Sequence, residues 1–338
     1  MSPMRTQRTA AALLLLTACA GAKPSGNAEK HPYVETMKGD LQAILPTISS
    51  PWVKALLSRV VELPPRAARV VWLDKDHGRA VSDTEYAKLG EPERKGLVRE
   101  VEDDEVYYAK YSTPLAYARL LEVAAAAGLD GLKGKKVVDF GYGDIGQLQL
   151  FAKDGAEAIG VDPSLLDAAL YDSPDDLAFP PGVVRLVSAR WPAEAKAQEG
   201  VGTFVDVFIS KNTLKKGYVR PEPPPGQTLD PKKLIKLGDD PKNFLPALHK
   251  ATKAGALVVI YNICPGPSKG PEYLPWADGR SPFTKEEWAA AGFAVLSFDV
   301  DDTEKVREMG RVLHWDKEEG MDLKNDLFAW YTVARRNP

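Results

Sequence analysis

Beyond residue 32 the apolar positions fall at two spacings, and the switches between them lay out the chain. Val34, Met37 and Leu41, then Trp52, Val53, Leu56, Leu57, Val60 and Val61, recur at helical spacing, and Ser50-Pro51 supplies a start signal for the second helix. The run RVVWL at 69–73 predicts a strand, Ser82-Asp83-Thr84-Glu85 carries helix-start chemistry, and the charged stretch 91–104 predicts solvated helix or loop. Residues 114–127 predict a long helix ending at Gly128. From there strand-like runs (137–138, 158–161, 183–187, 204–210, 256–261, 293–300 and 327–334) alternate with helical segments around 148–152, 164–171, 193–198, 244–252, 284–291 and 303–313. This alternation predicts an α/β fold with a doubly wound, mostly parallel seven-stranded sheet. Residues 32–113 form an N-terminal, mainly helical cap to the domain spanning 114–338. A proline-rich stretch at 217–241 exceeds an ordinary connection and predicts a lid or a surface loop, and a second irregular loop spans 262–282.

Composition narrows the class. The chain has 338 residues, 27% of them charged, with a formal net charge of −3. No basic patch argues for nucleic acid. Its two cysteines, Cys19 and Cys264, make neither a disulfide framework nor a zinc cluster, and Cys264 reads as a small buried residue. No Ser/His/Asp grouping and no HExxH pattern is present, so hydrolase and metalloenzyme chemistry lack support, and no metal is expected.

The most informative stretch is 137–163, VVDFGYGDIGQLQLFAKDGAEAIGVDP. An apolar run ends in Asp139. The turn Gly141-Tyr142-Gly143-Asp144-Ile145-Gly146 follows, then a helical segment, then a second apolar run ending in Asp162. Glycines let backbone pass close to a ligand, helix-start N–H groups favour electron-rich atoms, and an acid at the tip of the second strand accepts ribose hydroxyls. The unit therefore predicts a nucleoside-containing ligand.

In its run of motifs the chain resembles the class I S-adenosylmethionine-dependent methyltransferases, over roughly 115–334. VVDFGYGDIG is similar to their first motif, AIGVDPS to their second-strand acid, FVDVFISKNTL to their fourth-strand motif, ATKAGALVVI to the segment entering strand five, and AAGFAVLSFDV to a late strand. The resemblance implies a Rossmann-like sheet of order 3-2-1-4-5-7-6 with the last strand antiparallel. It implies S-adenosylmethionine as cofactor, cradled by Asp139, Gly141, Tyr142, Gly143 and Gly146, with Asp162 on the ribose; Trp191, standing where the family usually has an acid or amide, offers a ring on which adenine could stack. Trp191 also fits a core position. Lys211 and Asn212, in the SKNT turn, would face the methyl acceptor, whose identity carries no sequence signature. Tyr142, Tyr218 and Asn262 stand at other strand ends, while Lys215-Lys216 reads as a solvated pair. The third glycine is one place later than in the family pattern, and Ser188-Ala189-Arg190-Trp191 stands where an acid or amide usually meets adenine. GxGxxG with a downstream acid is equally the nicotinamide-dinucleotide fingerprint, which keeps an NAD-dependent oxidoreductase open.

The N-terminus supplies an address. Arg5 and Arg8, the apolar run 10–16 and Leu16-Thr17-Ala18-Cys19 read as a secretory signal over 1–18 whose last four residues resemble the lipobox of bacterial lipoproteins. That resemblance implies lipidation of Cys19, a tether over 19–31, and anchoring in the cell envelope, with Ala20 pointing to the outer membrane facing the periplasm. Translation from Met37 would instead leave the protein cytoplasmic. Because S-adenosylmethionine is a cytoplasmic metabolite, a non-catalytic envelope lipoprotein that keeps the fold as a ligand- or partner-binding module is a further alternative.

Overall fold

A computed structural model describes residues 33–63, 69–74, 78–102, 113–237, 240–318 and 321–338. Cys19 and the signal and tether expected around it lie outside the described residues. No helix among the described residues is long and apolar enough to cross a membrane.

The main sheet carries the predicted order. Its strands are β4 (Lys136–Phe140), β5 (Glu157–Val161), β6 (Ala178–Phe179), β7 (Gly182–Val187), β8 (Val205–Lys211), β9 (Thr252–Cys264), β10 (Phe293–Asp301) and β11 (Phe328–Arg336). They lie side by side as β10-β11-β9-β8-β4-β5-β7-β6. Without the two-residue β6 this is 3-2-1-4-5-7-6, the order the resemblance implies. β4 pairs in parallel with β5 and β8, as do β5 with β7 and β8 with β9. β11 is antiparallel to both β9 and β10. The sheet thus has eight strands where seven were expected. The extra one is a hairpin arm, Ala178 opposite Val183 and Phe179 opposite Gly182, too short to carry a periodic signal.

Side chains leave the two faces alternately, so neighbouring strand residues feed two cores. Val137, Val207, Ile209 and Val259 pack with Leu120, Leu148, Phe151 and Met309 on one face. Val138, Phe140, Phe208 and Val258 pack with Leu245, Leu248 and Trp288 on the other. Helices cover both sides, which is why the central parallel strands read as nearly continuous apolar runs.

The N-terminal region is less helical than expected. Helices Tyr33–Ile44 and Pro51–Ser58 form as the periodicity predicts, and the second carries its proline in the first turn. Between 69 and 102, however, lies a three-stranded antiparallel sheet, β2-β1-β3, built from β1 (Arg69–Leu73), β2 (Ala80–Ser82) and β3 (Val98–Glu102). β3 falls inside the charged stretch expected to be helix or loop. Val98 and Val101 stay more than half exposed, so no buried face marks it as a strand. This sheet sits against helix Leu165–Leu170: Arg69 forms an ion pair with Asp176 and donates to the Leu170 carbonyl, and Ser82 Oγ donates to Asp172.

Candidate functional site

The carboxyl ends of β4, β5 and β8 bring together most of the residues singled out in the sequence. Open α/β sheets bind ligands at this edge, because helix starts and loop amides converge there. Asp139 is fully buried, on the same sheet face as Lys211. Its Oδ2 accepts from Tyr117 Oη at 2.7 Å and from Gln147 Nε2 at 3.1 Å, while its Oδ1 has no hydrogen-bond partner. Burial pushes the Asp139 carboxyl up to about 6, against the opposing pull of both donors and of the Lys211 charge.

Gln147 organises the turn. Its amide nitrogen also donates to the carbonyls of Tyr142, at 2.8 Å, and Asp144, at 2.6 Å. Gln147 Oε1 and the Tyr142 hydroxyl, like Asp139 Oδ1, are buried without a hydrogen-bond partner. Asp144 accepts from the Ile145 N–H and from Tyr171 Oη.

The glycines divide by use. Gly141 and Gly143 both have positive φ, +76° and +62°, which glycine adopts without strain. A Cβ on Gly141 would overlap the Thr213 side chain, so that approach serves packing within the chain. A Cβ on Gly143 would meet nothing within 4 Å. Gly146 begins the helix Gly146–Lys153 and is buried. At the end of β5, Asp162 Oδ1 accepts from the Ser164 N–H, and burial raises its carboxyl above the usual range.

Across the sheet edge Lys211 lies almost buried, its ammonium 5.1 Å from the Tyr117 ring centre. Desolvation brings it down to about 8, with the Asp139 charge acting the other way. Asn212 is held in the left-handed region at φ +66°, and its Oδ1 accepts from the Ile263 N–H at 2.7 Å. That oxygen, with the Asn212 N–H bonded to the Tyr261 carbonyl, ties the end of β8 to β9.

Three expectations are corrected by packing. Trp191, considered as an adenine platform, is 2% exposed, with its ring 5.1 to 6.2 Å from those of Phe244, Phe208 and Phe140. Its role is to fill the second core. Lys215 is not solvated: it is fully buried, and its Nζ donates to the carbonyls of Ile263 (2.7 Å) and Trp276 (3.2 Å). Asn262 is likewise buried, donating to the carbonyls of Leu214 and Gly279. Cys264 is buried as expected, its thiol pushed up to about 11 by desolvation.

The two long loops join each other. Thr228 bridges Glu272, Gln227 Nε2 donates to the carbonyls of Ser268 and Gly270, and Lys216 N donates to the Arg280 carbonyl. Tyr117 and Gln147 are the site residues that sequence reading missed. Gln147 sat in the helical segment after the motif, and Tyr117 lies 22 residues before the acid it holds.

No family model matches the chain, and no curated protein does. Among solved structures it is similar to a phosphoethanolamine N-methyltransferase 2 of Haemonchus contortus, solved with phosphomonomethylethanolamine and S-adenosylhomocysteine. Identity there is 13% and the TM-score 0.38, over 72% of this chain and 63% of that one, so the match spans less than two thirds of the relative. It is also similar to the [4+2]-cyclase SpnF (15%, TM-score 0.39, over 89% and 96% of the two chains). A third is magnesium protoporphyrin IX methyltransferase of Synechocystis PCC 6803 with bound SAM (12%, TM-score 0.33, over 66% and 76%). Likenesses this distant carry no argument about activity; the fold rests on the strand order itself.

Proposed function

We propose that the chain is a methyltransferase-type protein that binds S-adenosylmethionine at the carboxyl edge of β4 and β5. The observation that carries this reading is a pair of carboxylates, Asp139 and Asp162, ending adjacent parallel strands on either side of a glycine turn. That turn holds an unpartnered buried acceptor and, at Gly143, open space. These residues fit the group. Asp139, Gly141, Tyr142, Gly143 and Gly146 would hold its amino-acid end, and Asp162 its ribose hydroxyls. The cofactor when bound supplies an electrophilic methyl group. The chain's own part is to orient it, exclude water and hold protons at named atoms. Lys211, buried with an amine near 8, is the residue of this site best suited to take a proton from an acceptor. Asn212 has its carbonyl oxygen committed to the backbone and is left as a turn residue.

The strand order separates this from the oxidoreductase reading. Dinucleotide-binding sheets run 3-2-1-4-5-6, whereas here an antiparallel strand enters between β9 and β10. A second reading, a non-catalytic module on the same fold, is favoured by Thr213 packed on Gly141 and by the bonding of Asn212 to its own chain. Calorimetric titration with S-adenosylmethionine, S-adenosylhomocysteine and NAD decides among the three. Binding of the first two that is lost in Asp162→Ala is the expected result. Binding of NAD alone, or of nothing, overturns it. The envelope address is a separate proposal: acyl labelling in cells should vanish in Cys19→Ala.

A further inference from the structure

We propose that Arg69 is a positioning residue through which the N-terminal sheet grips the glycine turn, so that docking of that sheet and binding of a ligand at the turn are one coupled equilibrium. This rests on the cofactor reading above and adds to that site a region outside the main sheet.

Strand alternation sets Arg69, Val71 and Leu73 on one face of β1. Val71 and Leu73 are buried in the same core as Leu170 and Tyr171. From that face Arg69 reaches three groups in the segment that follows Asp162. Its two terminal nitrogens pair with the Asp176 carboxylate, one of them also donates to the Leu170 carbonyl, and the guanidinium carbon lies 5.7 Å from the Tyr171 ring centre. The Asp176 side chain is 5% exposed, so losing Arg69 takes this cation from a buried carboxylate, a costly change in the interior. Ser82 Oγ on β2 donates to Asp172 within the same segment.

The segment so held is bonded in turn to the glycine turn and its helix. Tyr171 Oη donates to Asp144 Oδ1 at 3.1 Å, the same oxygen that accepts from the Ile145 N–H at 2.6 Å just before the helix Gly146–Lys153. Inside that helix the fully buried Gln149 donates through Nε2 to the Asp176 carbonyl at 3.0 Å. At its last residue the Lys153 carbonyl accepts from Arg59, a second arginine of the N-terminal region. The helix that carries the turn is thus tied at its start, its middle and its end to groups that the N-terminal region contacts or supplies. A chain of buried hydrogen bonds and ion pairs of this kind transmits a constraint from one end to the other. Linkage then fixes the size of the effect: the factor by which the docked sheet raises ligand affinity is the factor by which bound ligand suppresses opening of the sheet.

The test pairs calorimetric titration of the full-length protein with S-adenosylhomocysteine and amide hydrogen exchange of β1 and β3 at rising concentrations of the same ligand. In the wild type, the ligand should slow exchange at 69–73 and 98–102 about tenfold and then level off, whereas global unfolding would be suppressed in proportion to ligand without limit. Arg69→Ala should weaken the ligand about tenfold and leave it without effect on exchange in the sheet. Tyr171→Phe keeps the Arg69–Asp176 pair and removes the bond to Asp144. It should weaken the ligand about fivefold and cut the protection of the sheet by the same factor, which keeps the proposal testable if Arg69→Ala folds poorly. A merely structural Arg69 would lower the melting temperature and leave the affinity of the folded protein unchanged. That result, or a wild-type sheet whose exchange ignores bound ligand or slows without limit, overturns the coupling while the cofactor reading stands. A wild type that binds no S-adenosylhomocysteine removes both.

Discussion

The two loop regions at the carboxyl edge of the sheet use the same residue types to opposite ends. In the turn after β4, the glycine at 143 keeps open space beside it, and Asp139, Tyr142 and Gln147 each retain an unserved polar atom. In the lobe after β8 and β9, the glycines are where the chain meets itself. A Cβ on Gly217 would overlap the Pro275 carbonyl, and one on Gly279 would stand 2.9 Å from Cys264 Sγ. The lysine that introduces this lobe, Lys215, ties two backbone carbonyls from separate segments. Unserved buried polar atoms occur in both, Asn262 Oδ1, Tyr273 Oη and Trp276 Nε1 in the lobe, so the contrast lies in the glycines: Gly143 leaves space where Gly217 and Gly279 are filled. A glycine or a lysine in a motif therefore announces no role until its neighbours are known.

The contrast is broken most directly by Lys215→Ala. It leaves a cavity and strips the Ile263 and Trp276 carbonyls of their donor, and is expected to lower the unfolding free energy by about 3 to 5 kcal/mol in urea titrations. Gly217→Ala, clashing with backbone that has little room to move, should cost about 3 kcal/mol. A loss under about 1 kcal/mol would mean that the lobe is looser than its contacts imply.

Acidity probes both regions at once. Lys211 and Lys215 are brought from 10.5 down to about 8 by burial, so the folded chain binds fewer protons than the unfolded one between those values. Stability should therefore rise from pH 8 toward 10.5, and Lys215→Met should remove the lobe's share while leaving that of Lys211. Asp139, raised from 3.8 to about 6, acts with the opposite sign: the folded chain holds a proton that the unfolded chain has lost, and stability should fall as pH climbs from about 4 to 6. Asp162, likewise raised to about 6 by burial, adds the same slope, so melting temperatures across that range should show both signs and Asp139→Asn should reduce the acid slope without abolishing it. The smallest effect belongs to Gly143→Ala. With no atom to clash against, it should cost only the strain of φ +62°, about 1 kcal/mol, while reducing ligand affinity if the open space receives a ligand.

Much of the fold was legible because the central strands are buried on both faces and flanked by glycine and helix-start signals. The order of strands came from the motif resemblance, not from periodicity, and β6 escaped because two residues carry no pattern. β3 escaped for a different reason. In VREVE the valines are three apart, so they fall on opposite faces of the strand, and both stay exposed; no alternation marks it. The acids and glycines of the turn were readable as chemistry. That Thr213 fills the space over Gly141, that Trp191 lies among three phenylalanines, and that Lys215 is interior were not, because each depends on contacts between segments far apart in the chain. Adjacent lysines in SKNTLKKGY look solvated to any local rule. The carbonyls that draw one of them inward belong to residues 48 and 61 positions later.

The placement of β11 sets an order of events during synthesis. Among the described residues β10 pairs in the sheet with β11 alone, and β11 also lines β9 from Leu257 to Cys264. A nascent chain that has already made both must keep a slot between them, with their backbone groups unserved, until residues 328–336 leave the ribosome. Until β11 pairs, the facing edges of β9 and β10 carry unserved backbone groups, the kind of edge that invites pairing with another chain.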